Sequence, residues 1–149
     1  MLAKRLISRG SDLILPIVGD VLSSVRLSLD CLPALIFQDE EKNRSELTVE
    51  DSIVLGQGDS EQILTGSKPG KTFAPSTLAP LIELLGLQIV DAVAKRNGRL
   101  IITFSDQIRL EVTSTTGYEA WHFVYPSQLH HPKQKVRQIS LHGAYGRII

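Results

Sequence analysis

NGRLIITFSDQIRLEVTSTTGYEAWHFVY, residues 97–125, carries the cleanest alternation of apolar and polar residues in the chain and its only tryptophan. Leu100, Ile102 and Phe104 fall on one face of a strand, and Ile108, Leu110 and Val112 form the next inward row with Arg109, Glu111 and Thr113 outward. Asn97-Gly98 is the strongest two-residue hairpin signal, because both central positions of a type I′ turn need positive φ. Ser105-Asp106-Gln107 turns the chain again, residues 114–117 make a polar turn, and residues 118–125 form the next strand. This is an antiparallel meander.

Upstream, residues 25–29 alternate as a strand, 30–33 turn, and 34–37 form a second strand. The charged run 39–44 is a loop, 47–49 resume a strand, and 53–55 extend it past a bend. Residues 56–75, rich in glycine and proline, read as a long loop interrupted by a short strand at 62–65. A helix follows at about 76–85, N-capped by Ser76. Leu78, Leu81, Ile82 and Leu85 make its apolar stripe, and Pro80 is tolerated near its first turn. Residues 126–134 are a loop, and 136–141 a last edge strand. Residues 1–10 are given little structure.

The halves resemble each other at an offset of 67 residues: Gly19 falls on Gly86, Phe37 on Phe104 and Asp39 on Asp106. Beyond the acidic loop the offset drops to 63, with Leu47-Thr48-Val49 on Leu110-Glu111-Val112, so the first half carries a four-residue insertion. A lone meander cannot bury its apolar face, and a second copy supplies the cover. The expected fold is α+β and mainly antiparallel β: one domain, 1–149, of two β-meander halves (about 16–64 and 86–142) in pseudo-two-fold arrangement, joined by one helix.

With 149 residues, 42% hydrophobic and 21% charged, the chain suits one ordinary globular domain. Lys+Arg and Asp+Glu balance at 16 each, so no net field favours nucleic acid or membrane. The distribution is uneven. Asp39, Glu40, Glu41, Glu46, Glu50 and Asp51 crowd the first half, while Lys133, Lys135, Arg137 and Arg147 follow the last acid, Glu119. Cys31 stands alone, which excludes an intrachain disulfide and reads as a small buried hydrophobe. The apolar patch after the basic N-terminus is too short and too broken by Pro16 and Gly19 to span a membrane, and a cytoplasmic protein is expected.

The sequence carries no recognisable catalytic motif. Gly66-Ser67-Lys68-Pro69-Gly70-Lys71-Thr72 has three residues between its glycines where a phosphate loop needs four, and Pro69 removes a backbone donor. His130-His131 lack companions at metal-ligand spacing, so no metal or cofactor is expected. Strand alternation places Glu119, Trp121, Phe123 and Tyr125 on one face and Tyr118, Ala120, His122 and Val124 on the other. Glu119 and His122 are then no acid–base pair. Trp121 is a core anchor with Phe37, Phe104, Leu110 and Phe123, its burial worth roughly 4–6 kcal/mol as an upper estimate. Glu119 beside it would need a partner such as Arg99 or Arg109.

Gly98-Arg99-Leu100, Phe104-Ser105-Asp106, Leu110-Glu111-Val112 and Tyr118-Glu119-Ala120-Trp121 resemble a family of small bacterial domains of unknown function. That family has a Phe-x-Asp-Gly turn and a Tyr-Glu-Ala-Trp signature, and the resemblance covers residues 78–123. Gln107 stands where the family has glycine, which implies a turn without positive φ there. Such domains are similar in size and gene setting to immunity proteins, which bind and neutralise a cognate bacterial toxin. The resemblance implies that role as an expectation and brings no catalytic residues.

The leading expectation is therefore a non-catalytic protein-binding domain whose acidic residues Asp39, Glu40, Glu41, Glu46, Glu50 and Asp51 face a partner protein, such as a toxin. The alternative is a small-ligand site or enzyme using Tyr118, Glu119 and His122. Nucleic-acid binding by the basic tail is the weakest reading, and the edge at 136–141 makes a homodimer reasonable.

Overall fold

Short alternating segments between turn residues become thirteen strands in a computed structural model that describes residues 4–28, 32–64, 75–113, 119–127, 138–144 and 147–149. They are β1 (Ile7–Arg9), β2 (Asp12–Ile14), β3 (Val21–Arg26), β4 (Ala34–Gln38), β5 (Arg44–Val49), β6 (Ile53–Gln57) and β7 (Ser60–Leu64). After a 3₁₀ helix (Pro75–Leu84) come β8 (Ile89–Ala94), β9 (Leu100–Phe104), β10 (Ile108–Val112), β11 (Glu119–Tyr125), β12 (Ile139–Ala144) and β13 (Arg147–Ile148). All pair antiparallel in two sheets: sheet A runs β1-β2-β8-β9-β10-β6-β7 and sheet B runs β13-β12-β11-β5-β4-β3. Both contribute to one hydrophobic cluster, in which Phe37, Phe104, Leu110, Trp121 and Phe123 are fully buried.

The repeat is visible in the pairing. Leu22 opposes Phe37 and Ile89 opposes Phe104, and in both copies the register then slips through a bulge, to Ser24↔Ile36 and Asp91↔Thr103. Leu35↔Leu47 in sheet B has its counterpart in Ile102↔Leu110 in sheet A, the 63-residue separation of the second strand pair. What periodicity did not disclose is an exchange. After β5 the chain leaves its own meander, and the hairpin β6–β7 pairs with β10; after β10 it leaves again, and β11–β12 pairs with β5. Each meander is thus extended by the other half's hairpin.

The meanders meet along a short seam. Val21 bridges Gln88, Gly19 N–H donates to Ile89 C=O at 2.8 Å, and Gly86 N–H donates to Leu22 C=O at 2.8 Å. Ile89 N–H to Asp20 C=O (2.8 Å) and Leu22 N–H to Leu87 C=O (3.1 Å) form a second pair related by the same 67-residue offset. Gly19 (φ +93°) and Gly86 (φ +85°) make the left-handed turn that brings the chain into the seam, a conformation an L side chain would strain.

Several local expectations change. The helix is 3₁₀, with about three residues per turn, so its buried stripe is Leu78, Leu81 and Leu84, while Ile82 and Leu85 are exposed. Pro80 is its sixth residue. The loop expected at 56–75 begins later, because Gly58 (φ +61°) closes a tight β6–β7 hairpin; residues 65–74 lie outside the described residues, as does Cys31. At Asn97-Gly98 only Gly98 takes positive φ (+88°) and its N–H closes on Lys95 C=O at 2.8 Å, so a bulged three-residue loop replaces the type I′ turn. Gln107 does adopt φ +62°, keeping the glycine-type geometry in a residue with a Cβ. Residues near the N-terminus are ordered into the β1–β2 edge hairpin around Gly10 (φ +64°), and Lys4 binds Asp20 at 2.9 Å. Finally, β13 covers β12 over Gly143 and Ala144, so β12 is an edge only over residues 139–141 among the described residues.

Trp121 joins the two sheets. Its Nε1 donates to Gly98 C=O at 2.7 Å, spanning from sheet B to the β8–β9 turn of sheet A. Gly143, its cross-strand partner, is the surface on which the indole lies: a Cβ there would collide with Trp121 Nε1, Cε2 and the Gly98 carbonyl. Trp121→Ala should cost ~3–5 kcal/mol in denaturant unfolding. Gly143→Ala should cost at least about 2 kcal/mol alone and less in the Trp121→Ala background, where only the clash with the Gly98 carbonyl remains, a coupling a double-mutant cycle measures. Gln107→Gly should stabilise by about 1 kcal/mol by relieving the left-handed backbone.

Candidate functional site

A bulge makes the site. Between Glu119 and Trp121 the β11–β12 register slips, so Ala120 and Trp121 are both buried and Glu119 leaves the Trp121 face. Regular alternation, which set Glu119 and His122 on opposite faces, is broken at that one residue. Glu119 Oε1 instead lies 3.0 Å from His142 Nδ1, and His142 sits directly across from His122 in the β11–β12 register. The two imidazoles stack with centroids 3.9 Å apart and planes 12° apart. His122 Nε2 is hydrogen-bonded to Ser140 Oγ at 2.9 Å. Donor atoms of Glu119, His122 and His142 all lie within 4.8 Å of one another.

Burial, then the neighbouring His142, holds the His122 imidazole below its ordinary value, while Glu119 and Glu46 pull the other way. Glu50, whose N–H bonds to Ala120 C=O at 2.8 Å, has its carboxyl pushed up by burial and by the charge of Glu119. The site is therefore a half-exposed patch of two imidazoles and a carboxylate, with a second carboxylate within electrostatic reach. Tyr118 lies outside the described residues. Arg99 and Arg109 do not reach Glu119; both pair with Glu111, Arg109 Nε at 2.7 Å.

The six acidic residues do not act as one patch. Asp39 caps its own hairpin, accepting from Glu41 N–H and Asn43 N–H at 2.9 Å each, and lies 3.7 Å from Lys4 Nζ. Glu46 is buried beside Arg26 (3.5 Å) and Ser127 (3.4 Å). Asp51 accepts from Ser52 N–H at 2.7 Å. Glu40 and Glu41 are exposed at the hairpin tip. Of the basic tail, Lys133, Lys135 and Arg137 lie outside the described residues; Arg147 lines an open cleft of about 900 Å³ with Lys95, Arg96, Arg99 and Asp12.

Sequence reasoning missed His142, because nothing in the spacing of residues 119, 122 and 142 shows a cross-strand pair. The available signal was the strand after residue 138, whose alternation puts Ser140 and His142 on one face.

Fold and cluster together define a two-sheet antiparallel β domain with an open carboxylate–imidazole patch on the outer side of sheet B. The chain belongs to the family of unknown function DUF6188, which matches residues 13–131. The match is wider than the signature region around Trp121 and takes in both meanders. No curated protein and no solved structure matches the chain.

A group whose imidazole is depressed on folding contributes stability that is present above its unfolded value, about 6.5, and lost as pH falls through the folded value. In an NMR titration the His122 ring should therefore titrate below about 6.5, and His142→Asn should move it back upward. The melting temperature should fall between pH 7 and 5 by less in His122→Gln than in the native sequence.

Proposed function

We propose that the chain is a non-catalytic binding domain whose partner is a protein with a basic surface, and that neutralisation of a bacterial toxin is the role this binding serves. The observation that carries the reading is the hairpin 39–43. It is where the first meander departs from the second: the tip has five residues where the turn 105–107 has three, and the strand pair leading to it is one pair longer, four residues in all. Asp39 fixes its shape through backbone and Asn43 side-chain hydrogen bonds, so the tip that holds Glu40 and Glu41 in water is pre-organised. Among the described residues neither carboxylate has an ion-pair partner. Two unneutralised charges on a rigid projection raise association rates with a basic surface and cost little folding stability.

A second reading, a small-ligand site, is supported by the convergence of Glu119, His122 and His142 on one open patch.

The protein-partner reading is tested by affinity capture from the producing cells with the native sequence and with Glu40→Lys/Glu41→Lys. A basic partner that the native chain retains should be lost with the charge reversal, at unchanged melting temperature. Its association rate should drop by about tenfold or more at low salt. Co-expression with the partner should restore growth where the partner alone is toxic. Equal capture by both chains, or no captured protein, would count against the acidic hairpin as the contact.

A further inference from the structure

We propose that Glu119, His122 and His142 form a binding site for a borderline first-row dication, Zn²⁺ foremost. The inference is independent of the protein-partner reading and gives the small-ligand reading its ligand. Three donors from two paired strands converge within 4.8 Å, and none of them serves the core. The bulge is the revealing detail. It turns Glu119 out of the apolar face and toward the histidine pair, where a regular strand would have left the carboxylate against Trp121. Bulges re-aim side chains in this way at functional sites.

Chemistry selects the ion. Two imidazole nitrogens and one carboxylate oxygen suit Zn²⁺ and its borderline neighbours, whereas Ca²⁺ and Mg²⁺ require oxygen donors throughout. Glu119 and His142 side chains are about a third exposed (37% and 34%), so an ion has access and keeps positions for water or a further ligand. Glu50 lies within electrostatic reach of Glu119 and adds negative potential that attracts a cation.

In the metal-free arrangement the rings are nearly parallel, and two parallel rings cannot direct their in-plane lone pairs at one ion. Binding requires one imidazole to turn about its ring torsion, a broad and soft degree of freedom. The Glu119–His142 and His122–Ser140 contacts give way to bonds with the ion. The backbone of β11 and β12 need not move. The stack is then the resting form of the site, two rings held face to face.

The test is titration of the metal-stripped full chain with ZnCl₂ against a chromophoric chelator, with Co²⁺ absorption as a second readout of the ligand set. One ion per chain should bind and raise the melting temperature. His122→Ala and His142→Ala should each weaken binding by at least about tenfold, and Glu119→Gln by a similar factor. His130→Ala/His131→Ala, which removes the neighbouring histidine pair in the sequence, should bind as the native chain does. Affinity should fall as pH drops, because an imidazole binds the ion only through a deprotonated nitrogen and protons then compete with the metal. Circular dichroism identifies any variant that does not fold; for such a position the Co²⁺ spectrum of the native chain, read for nitrogen ligation, decides instead. No uptake by the native chain, uptake unchanged in folded His122→Ala and His142→Ala, or uptake abolished by His130→Ala/His131→Ala would each overturn the proposal.

Discussion

The seam of backbone hydrogen bonds between residues 19–22 and 86–89 is the constraint on which the rest of the architecture depends. It is self-complementary. Gly19 to Ile89 and Gly86 to Leu22 are the same bond made in two directions, and Asp20 N–H to Ile17 C=O repeats as Leu87 N–H to Leu84 C=O. Once the two strand openings lie against each other, the apolar faces of the two meanders are brought to one core, where Phe37 and Phe104 occupy equivalent places. The seam also fixes how far each hairpin must travel to reach the opposite sheet. Trp121 and Gly143 depend on that placement, because the indole must find the Gly98 carbonyl of the other sheet.

Much of this was legible because strand periodicity and glycine position are local properties. Gly19 and Gly86 stand one offset apart since both must turn left-handed into the seam. The hairpin exchange was not legible, because alternation states which face a residue presents and is silent about which strand it lies beside. The helix stripe failed for a similar reason. Leu84 and Leu85 are both leucine, and only the pitch of the ladder decides which is buried. At Gln107 the resemblance was read through the identity of one side chain, whereas the backbone kept the shape that glycine would have had and accepted the strain.

The outer face of sheet B was the least legible part. One extra residue in β11 reverses the sense of every inference drawn from alternation on its N-terminal side, and Glu119 lies just there. Charge composition misled in the opposite direction. Six acids close in sequence suggested a patch, yet Asp39, Glu46 and Asp51 are occupied with a turn, an ion pair to Arg26 and a bend. Counting charges reports where they are in the chain and nothing about what already satisfies them.

The exchange of hairpins also bears on how the chain is made. When the first meander leaves the ribosome, β5 has β4 on one side and nothing on the other, and β6–β7 has no β10 to join. Both edges stay open until the second half has been synthesised, because each is completed only by strands encoded there. Nascent β-structure with unpaired edges is the form most exposed to wrong pairing. Buried Glu46 and Ser45 on β5 bring a charge and a hydroxyl to that waiting strand, features that disfavour pairing with another chain's apolar strand before β11 arrives.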